Sequence, residues 1–484
     1  MNRRMVFYMI GRILQIESVL FLPALVTSLV YAEGKVATSF VVSALIALAL
    51  GTLMTLVRLK TTPESIYARE GFAIVSFAWV LMSAIGALPF VFSGAIASFV
   101  DAFFETVSGF TTTGASILSD VEALSHGLLF WRSFTHWIGG MGVLVFVMAI
   151  LPTESGGRSI HIMRAEMPGP IVGKLVPKIR DTAKILYLIY VGMTLLQIVL
   201  LSLGEMDLFE SIVHTFGTAG TGGFGIKADS IGGYSAYSQW VISVFMFLFG
   251  VNFNLYYLLL IGRLRSAFKS GELWCYTAIA AVSTALICAN ILSLYDNFAD
   301  AVRHAAFQVS SVMTTTGYST ADFNLWPLFS KTSLVVLMFI GASAGSTGGG
   351  IKVSRIMLMT KMIRRELKKR VHPRSVSVVK LEGKKVEEQT LSNTGVYFLV
   401  YFLLFFILLL FVSLDSLDFE SAFTGVVACF NNIGPGLGSV GPAASFAHLS
   451  VFSKLVLSAA MLLGRLEIFP ILVAFSVTTW KKKV

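Results

Sequence analysis

Long apolar segments alternate with short polar connections along the chain, and the apolar segments fall into two length classes. A membrane crossing needs about 20 apolar residues. Ten stretches meet that need: residues 6–30, 37–57, 71–94, 127–151, 184–204, 236–262, 273–295, 327–363, 391–414 and 449–480. An even number of crossings puts both termini on one side. Four shorter stretches begin near Asp101, Asp207, Asp300 and Asp418 and run for about a dozen residues, too few to span. They read as re-entrant half-helices, each opened by an acid and followed by a glycine-bearing loop. After two leading helices, the order helix, half-helix, glycine loop, helix occurs four times. Internal duplication of this kind is common in transport proteins. The pattern predicts an all-α polytopic membrane protein, with four membrane–pore-helix–membrane repeats in pseudo-fourfold arrangement around one path. The divisions fall at residues 1–70, 71–155, 156–265, 266–365 and 366–484.

The loops are Phe110-Thr111-Thr112-Thr113-Gly114-Ala115, Gly220-Thr221-Gly222-Gly223-Phe224, Met313-Thr314-Thr315-Thr316-Gly317-Tyr318 and Phe430-Asn431-Asn432-Ile433-Gly434-Pro435. Glycine tolerates positive φ, which lets successive carbonyls point the same way. Non-helical backbone at membrane depth is allowed where it is buried in protein or lines a watery path. Four such loops meeting on one axis can replace the hydration shell of an alkali cation, whose loss of water costs on the order of tens of kcal/mol. Gly114, Gly223, Gly317 and Gly434 are therefore the expected core of a cation path. Thr112, Thr113, Thr221, Thr315 and Thr316 stand ready as hydroxyl ligands or braces, with Gly222, Asn432 and Ile433 completing the loops. In the second loop, Gly223-Phe224 parallels Gly317-Tyr318, which favours Gly223 over Gly222 as the equivalent glycine. Nine residues before each glycine stand Glu105, His214, Gln308 and Gly425, so polarity recurs there while identity does not. Half-helix dipoles directed at the loops would place partial negative charge near the cation, and the acids at their far ends would raise its local concentration.

Composition narrows the class. Of 484 residues, 55% are hydrophobic and 13% charged, about half the charge of an ordinary soluble chain. The net charge of +10 does not signal nucleic acid, because the basic residues collect in alternate connections and the acids in the others. That is the positive-inside pattern, and it places both termini in the cytoplasm. Met1-Asn2-Arg3-Arg4 leads directly into an apolar segment without a cleavage pattern, so the first helix reads as a retained anchor. Cys275, Cys288 and Cys429 lack metal-ligand spacing and read as small buried hydrophobes. No nucleophile–base pair, paired intramembrane acids or metal-spaced histidines suggest an enzyme.

Three further features stand out. Residues 341–350 hold five glycines, each costing a helix about 1 kcal/mol relative to alanine. They interrupt an apolar run and read as a gate or a kink, centred on Gly345, Ser346, Thr347, Gly348, Gly349 and Gly350 and running into Lys352. Arg465 lies within the last helix, where arginine costs about 2.5–3.5 kcal/mol. It either faces the path as a barrier to cations, pairs with Glu467, or reaches to the inner face. Residues 364–390, with Arg364, Arg365, Lys368, Lys369, Arg370 and Arg374, attract anionic lipid or dock a soluble regulator. His136, Glu105 and Arg132 read as structural hydrogen-bonding groups rather than a proton relay.

These stretches resemble a known family, the TrkH-type subunits of bacterial potassium uptake systems, related to KtrB and the HKT transporters. The resemblance covers nearly the whole chain. It is most specific at Thr112-Thr113-Gly114-Ala115, Arg164-Ala165-Glu166-Met167-Pro168-Gly169-Pro170, Ala344-Gly345-Ser346-Thr347-Gly348-Gly349-Gly350, Asn431-Asn432-Ile433-Gly434-Pro435-Gly436 and Gly464-Arg465-Leu466-Glu467. It implies four filter glycines at Gly114, Gly223, Gly317 and Gly434, a bound and transported potassium ion, an intramembrane gating loop at 341–350, and Arg465 beneath the filter. It also implies a homodimer in the bacterial inner membrane, with one pore per subunit. A cytosolic TrkA-type partner would bind the regulatory nucleotide, leaving none on this chain. Glycine in all four loops favours potassium over sodium, while Gly217 and Gly220 depart from the bulkier residues usual there and point to looser selectivity. A transporter coupling potassium or another monovalent cation to protons or sodium is the alternative, and reversal potentials distinguish it.

Overall fold

The computed structural model describes residues 3–56, 68–142, 179–375 and 377–480. The Arg164–Pro170 motif, the end of the expected 127–151 helix and the terminal lysines lie outside the described residues. Among the described residues, six helices are long and apolar enough to cross a membrane, or eight if two sharply bent pairs each count as one span. The six are Arg3–Val30, Gly34–Thr55, Arg69–Ser93, Ala183–Ser202, Gly271–Leu294 and Glu388–Val412. Outward faces are apolar, as lipid contact requires: Glu388–Val412 exposes Val396, Leu399, Leu403, Phe406 and Leu410.

The ten straight crossings are corrected in the helices that leave the glycine loops. The expected helix 236–262 is Ala236–Phe249 turned by 92° into Phe253–Leu260, and 449–480 is Val451–Arg465 turned by 116° into Phe469–Phe475. The local causes are visible. Asn252 caps a new helix by accepting from the Asn254 N–H at 3.0 Å. Glu467 and Ile468 take φ of 53° and 70°, a left-handed conformation that no right-handed helix accommodates. The run 327–363 is split, as its glycines suggest, into Leu328–Ile340 and Val353–Val371. His126–Gly140 ends at Met141. All four outgoing helices thus have 13–15 residues, roughly 20–23 Å at 1.5 Å per residue. None is long enough to cross a hydrocarbon layer about 30 Å thick on its own.

The four short helices are Phe99–Phe110, Leu208–Gly220, Phe298–Met313 and Phe419–Phe430. They start alike. The side chains of Ser98, Asp207, Asn297 and Asp418 each accept from the N–H three residues on, and Asp101, Glu210, Asp300 and Glu420 occupy the first turns. Both features suit the positive end of a helix.

Packing closes these units into a ring. Each outgoing helix packs against the short helix of the next unit: His126–Gly140 on Leu208–Gly220, Ala236–Phe249 on Phe298–Met313, Leu328–Ile340 on Phe419–Phe430, and Val451–Arg465 back on Phe99–Phe110. The fold is a polytopic helical membrane protein of four pore-helix repeats, as expected. A two-stranded hairpin, Lys380–Leu381 with Lys384–Lys385, was not anticipated.

The two leading helices buttress the first unit, packing on Ala68–Gly86 and His126–Gly140. They cross through glycine: a Cβ on Gly11 would meet the Gly51 carbonyl oxygen at 2.7 Å, and a Cβ on Gly51 would meet that of Gly11 at 2.7 Å. Gly51→Leu should therefore force the helices apart at a cost of ~1–3 kcal/mol. The expected outcome is a lower thermal unfolding temperature of the purified protein with ion selectivity unchanged.

Candidate functional site

The four glycine loops meet and repeat one backbone conformation. Two residues before each glycine, Thr112, Thr221, Thr315 and Asn432 have φ of 54°, 55°, 60° and 57°, and the glycines Gly114, Gly223, Gly317 and Gly434 have φ of 82°, 76°, 85° and 101°. The residue between, Thr113, Gly222, Thr316 or Ile433, has no positive φ. Alternating hand along a short run turns successive backbone dipoles to one side, as it does for N–H groups in anion nests. Gly223 shares the glycine conformation and Gly222 does not.

Each short helix reaches its loop through the same C-terminal cap. The N–H groups of Thr113, Gly222, Thr316 and Ile433 donate to the carbonyls of Ser108, Gly217, Ser311 and Ala428 at 2.8, 2.8, 2.8 and 2.9 Å. This is a Schellman cap with its left-handed residue two places before the glycine. That position normally falls to glycine; a β-branched threonine there costs roughly 1–2 kcal/mol. Strain of this kind is held only where the surroundings over-determine it.

The surroundings here are the neighbouring loops. A Cβ on Gly114 would lie closer than 3.0 Å to the Gly222 carbonyl oxygen; on Gly223, to that of Thr316; on Gly317, to that of Ile433; and on Gly434, to that of Thr113. The contacts run through the four loops and return to the first. Every carbonyl of the intervening residues therefore stands against the glycine of the preceding loop. Only a residue without a side chain fits at each glycine, on conformation and on space alike.

The threonine hydroxyls act as braces. Thr111 and Thr113 share a hydrogen bond at 2.8 Å, as do Thr314 and Thr316 at 2.8 Å. The Asn432 amide donates to Thr113 Oγ1 at 2.9 Å, tying the fourth loop to the first, and Thr221 Oγ1 donates to the Gly220 carbonyl at 2.6 Å. Glu105, buried behind the first loop, takes the Ile117 N–H at 2.9 Å and Arg132 Nε at 2.8 Å. Arg132 also lies 4.0 Å from the Phe224 ring centroid and donates to the Gly225 carbonyl at 3.2 Å, so one ion pair supports two loops. His136 contacts the Gly109 carbonyl at 2.8 Å, and His214 contacts the Tyr234 hydroxyl at 3.1 Å. Glu105, Arg132 and His136 are engaged in hydrogen bonds within the protein, as read from the sequence, and His214 joins them. At the acidic side, hydrogen bonds from the Ser421 hydroxyl and N–H hold the Asp418 carboxyl below its usual range.

Beneath the ring lies the glycine-rich segment. Its ends are pinned together: the N–H of Lys352 donates to Ile340 at 2.9 Å and that of Val353 to Ala342 at 3.0 Å. Between them the chain makes a compact excursion of the Ω-loop kind. The Gly349 N–H donates to Thr315 Oγ1 at 2.7 Å. Arg465 is the last residue of its helix rather than an interior one. Its guanidinium donates to Thr112 Oγ1 at 3.2 Å, to the Thr347 carbonyl at 3.0 Å, and to the carbonyls of Gly139 and Gly140. Glu467 forms ion pairs with Lys352 at 3.2 Å and with Arg355. A cavity of about 310 Å³ opens below, lined among others by Gly349, Arg465, Asn252 and Glu272.

The twelve expected loop residues thus come together, with Thr347, Gly348, Gly349 and Arg465 directly below. Gly345, Ser346, Gly350 and Lys352 sit lower, where Gly345 accepts from the Phe253 N–H at 3.0 Å. Sequence reasoning missed Tyr318, whose hydroxyl reaches the carbonyls of His214 and Phe224 at 3.1 and 3.3 Å. It also missed Tyr401, bonded to Asn431 Oδ1 at 2.8 Å. For Tyr318 the signal was a hydroxyl on the aromatic that follows Gly317; Tyr401, inside the helix Glu388–Val412 and 30 residues from Asn431, carried none.

Comparison with known proteins agrees with this geometry. The family model TrkH, described as a cation transport protein, matches residues 37–271 and 272–483. The chain is 39% identical over 488 residues to the Trk system potassium uptake protein TrkH of Salmonella typhimurium, covering 98% of this chain and 100% of the relative. The same identity and coverage hold for TrkH of Escherichia coli K12. The crystal structure of the potassium transporter TrkH from Vibrio parahaemolyticus superposes with a TM-score of 0.89 at 34% identity, covering 99% of this chain and 100% of that one. A repeated backbone ring, a match along nearly the whole chain and a shared fold lead to one assignment: the chain belongs to the TrkH family of cation transport proteins, which are transporters and not enzymes.

Proposed function

We propose that the protein takes up potassium across a bacterial inner membrane through the ring of main-chain oxygens at Thr113, Gly222, Thr316 and Ile433 and the glycines beside them. The observation that carries this reading is the closed cycle of glycine-to-carbonyl contacts. A dehydrated cation needs several oxygens at once, and the ring supplies them without spending side chains, which are engaged as braces. The short helices add partial negative charge at their C-terminal ends. The relatives' names point to potassium as the cation, and glycine in all four loops agrees. Alternation of basic and acidic connections supports a cytoplasmic basic side with both termini there.

In this reading the 341–352 loop and Arg465 close the path from below. The guanidinium occupies oxygens at the ring floor as a tethered cation would. Opening requires that the loop leave, which its pinned ends allow without unfolding the flanking helices. A second copy of the chain and a cytosolic nucleotide-binding subunit on the basic face complete the proposed assembly; no nucleotide is assigned to this chain.

Two outcomes test the proposal in proteoliposomes. Gly317→Ser introduces a side chain where φ is 85° and the Ile433 carbonyl is in the way. Discrimination of rubidium over sodium should fall by about tenfold or more, as expected for the ~1–2 kcal/mol strain of a left-handed residue added to the clash. Unchanged selectivity would refute the filter assignment. Arg465→Ala removes a charge that, at an effective dielectric of ~20 and a separation of roughly 8 Å, opposes a cation by about 2 kcal/mol. Rubidium influx should rise on the order of tenfold with selectivity kept.

A further inference from the structure

The hairpin on the basic face contains a residue that does not suit its place. Its turn has two central residues, Glu382 and Gly383, with φ of 50° and 74°, the type I′ geometry of a two-residue hairpin. Asparagine, aspartate or glycine is favoured at the first of these positions, and glutamate there is strained. Its carboxylate accounts for it. Glu382 accepts from the N–H of Glu272 at 3.0 Å, the N–H of Gly271 at 3.2 Å and the Ser270 hydroxyl at 3.3 Å. A carboxylate some 110 residues away in sequence thereby caps the first turn of the helix Gly271–Ile291, where negative charge is favoured.

That first turn in turn holds the intramembrane loop. The buried Glu272 carboxylate accepts from the Ala344 N–H at 2.8 Å. The hairpin also grips the helix that leaves the loop: Lys361 Nζ donates to the Lys380 carbonyl at 2.8 Å, and Val379 and Leu381 pack with Leu358. The loop is bracketed on both sides by one surface turn. From Ala344 it continues to Gly349 and its bond to Thr315 in the ring.

We propose that Glu382 is a positioning residue that sets the intramembrane loop from the basic face, acting in series through Glu272. This rests on the reading of the loop as the closing element only for its consequence on flux, not for the link itself. Glu382→Gly removes the carboxylate and leaves a residue that the turn prefers, so the variant is expected to fold.

Hydrogen exchange by mass spectrometry on the full-length protein in nanodiscs tests the link. In Glu382→Gly, exchange in the peptide spanning 341–352 should rise by about tenfold, the order expected when charge-assisted hydrogen bonds are lost. Peptides from Phe99–Phe110 should not change. Glu272→Ala should give the same rise, and the double variant should add nothing further, since residues in one chain of contacts are not additive. Unchanged exchange in Glu382→Gly, or full additivity in the double variant, overturns the inference. Rubidium flux, with a deletion of 343–349 as reference, addresses the closing role separately. If the deletion raises flux and Glu382→Gly does so with selectivity unchanged, the residue controls opening. If the deletion leaves flux unaltered, the closing role fails while the exchange result still decides the link.

Discussion

Everything in this fold depends on bringing bare main-chain carbonyls to membrane depth and holding them apart at a fixed spacing. Each unpaired carbonyl in hydrocarbon costs several kcal/mol, and carbonyls of like orientation repel. The structure meets the constraint by closure. Each glycine faces the carbonyl of the next loop, and the fourth returns to the first, so no loop can shift without displacing two others. The same order of contact is repeated by the helices outside it, each outgoing helix lying on the next short helix. Two concentric rings of one handedness over-determine the strained threonines at Thr112, Thr221 and Thr315.

Below the ring the fourfold symmetry is given up. All four outgoing helices stop near one level, yet their continuations differ. Ala236–Phe249 resumes after three residues, whereas the third unit inserts the 341–352 loop before its helix resumes at Val353. Where the first outgoing helix ends, Arg465 donates to the carbonyls of Gly139, which also accepts from the Gly142 N–H, and of Gly140, and in the loop it donates to that of Thr347. A half-buried guanidinium and under-satisfied carbonyls at a helix end are each costly alone; here they satisfy one another. Any movement of the loop must break that arrangement at one side, which makes this level the natural place for two states.

Much of this was legible in residue order. Segment length separates crossing helices from half-helices, because 12 residues of helix cannot span hydrocarbon. The acids near Asp101, Asp207, Asp300 and Asp418 mark the starts, with Ser98 and Asn297 taking the capping place in two of the four. The glycines follow from chemistry that no other residue provides. What escaped is long-range and of one kind. The bend after Phe249 has a local cap in Asn252, but it is also held from far along the chain, where the Phe253 N–H donates to the Gly345 carbonyl and the Ser343 N–H to that of Gly250, and residue order does not show those partners. The Glu382 link joins positions 110 apart, and its hairpin is two residues per strand, too short for any periodicity to show.

The struts behind the loops explain why the repeats are faint in sequence yet regular in space. Nine residues before the glycines, Glu105 bridges to Ile117 and Arg132, His214 to Tyr234, and Gly425 has no side chain to offer. The buried amide of Gln308 has no hydrogen-bond partner among the described residues, so the shared backbone does not depend on one side chain at this position. In the proposed function the oxygens belong to the main chain, so only φ and the absence of a Cβ must be kept. The rest of each unit is then free to specialise: the first as an ion-paired brace, the third as the bearer of a loop, and the fourth as the source of an arginine.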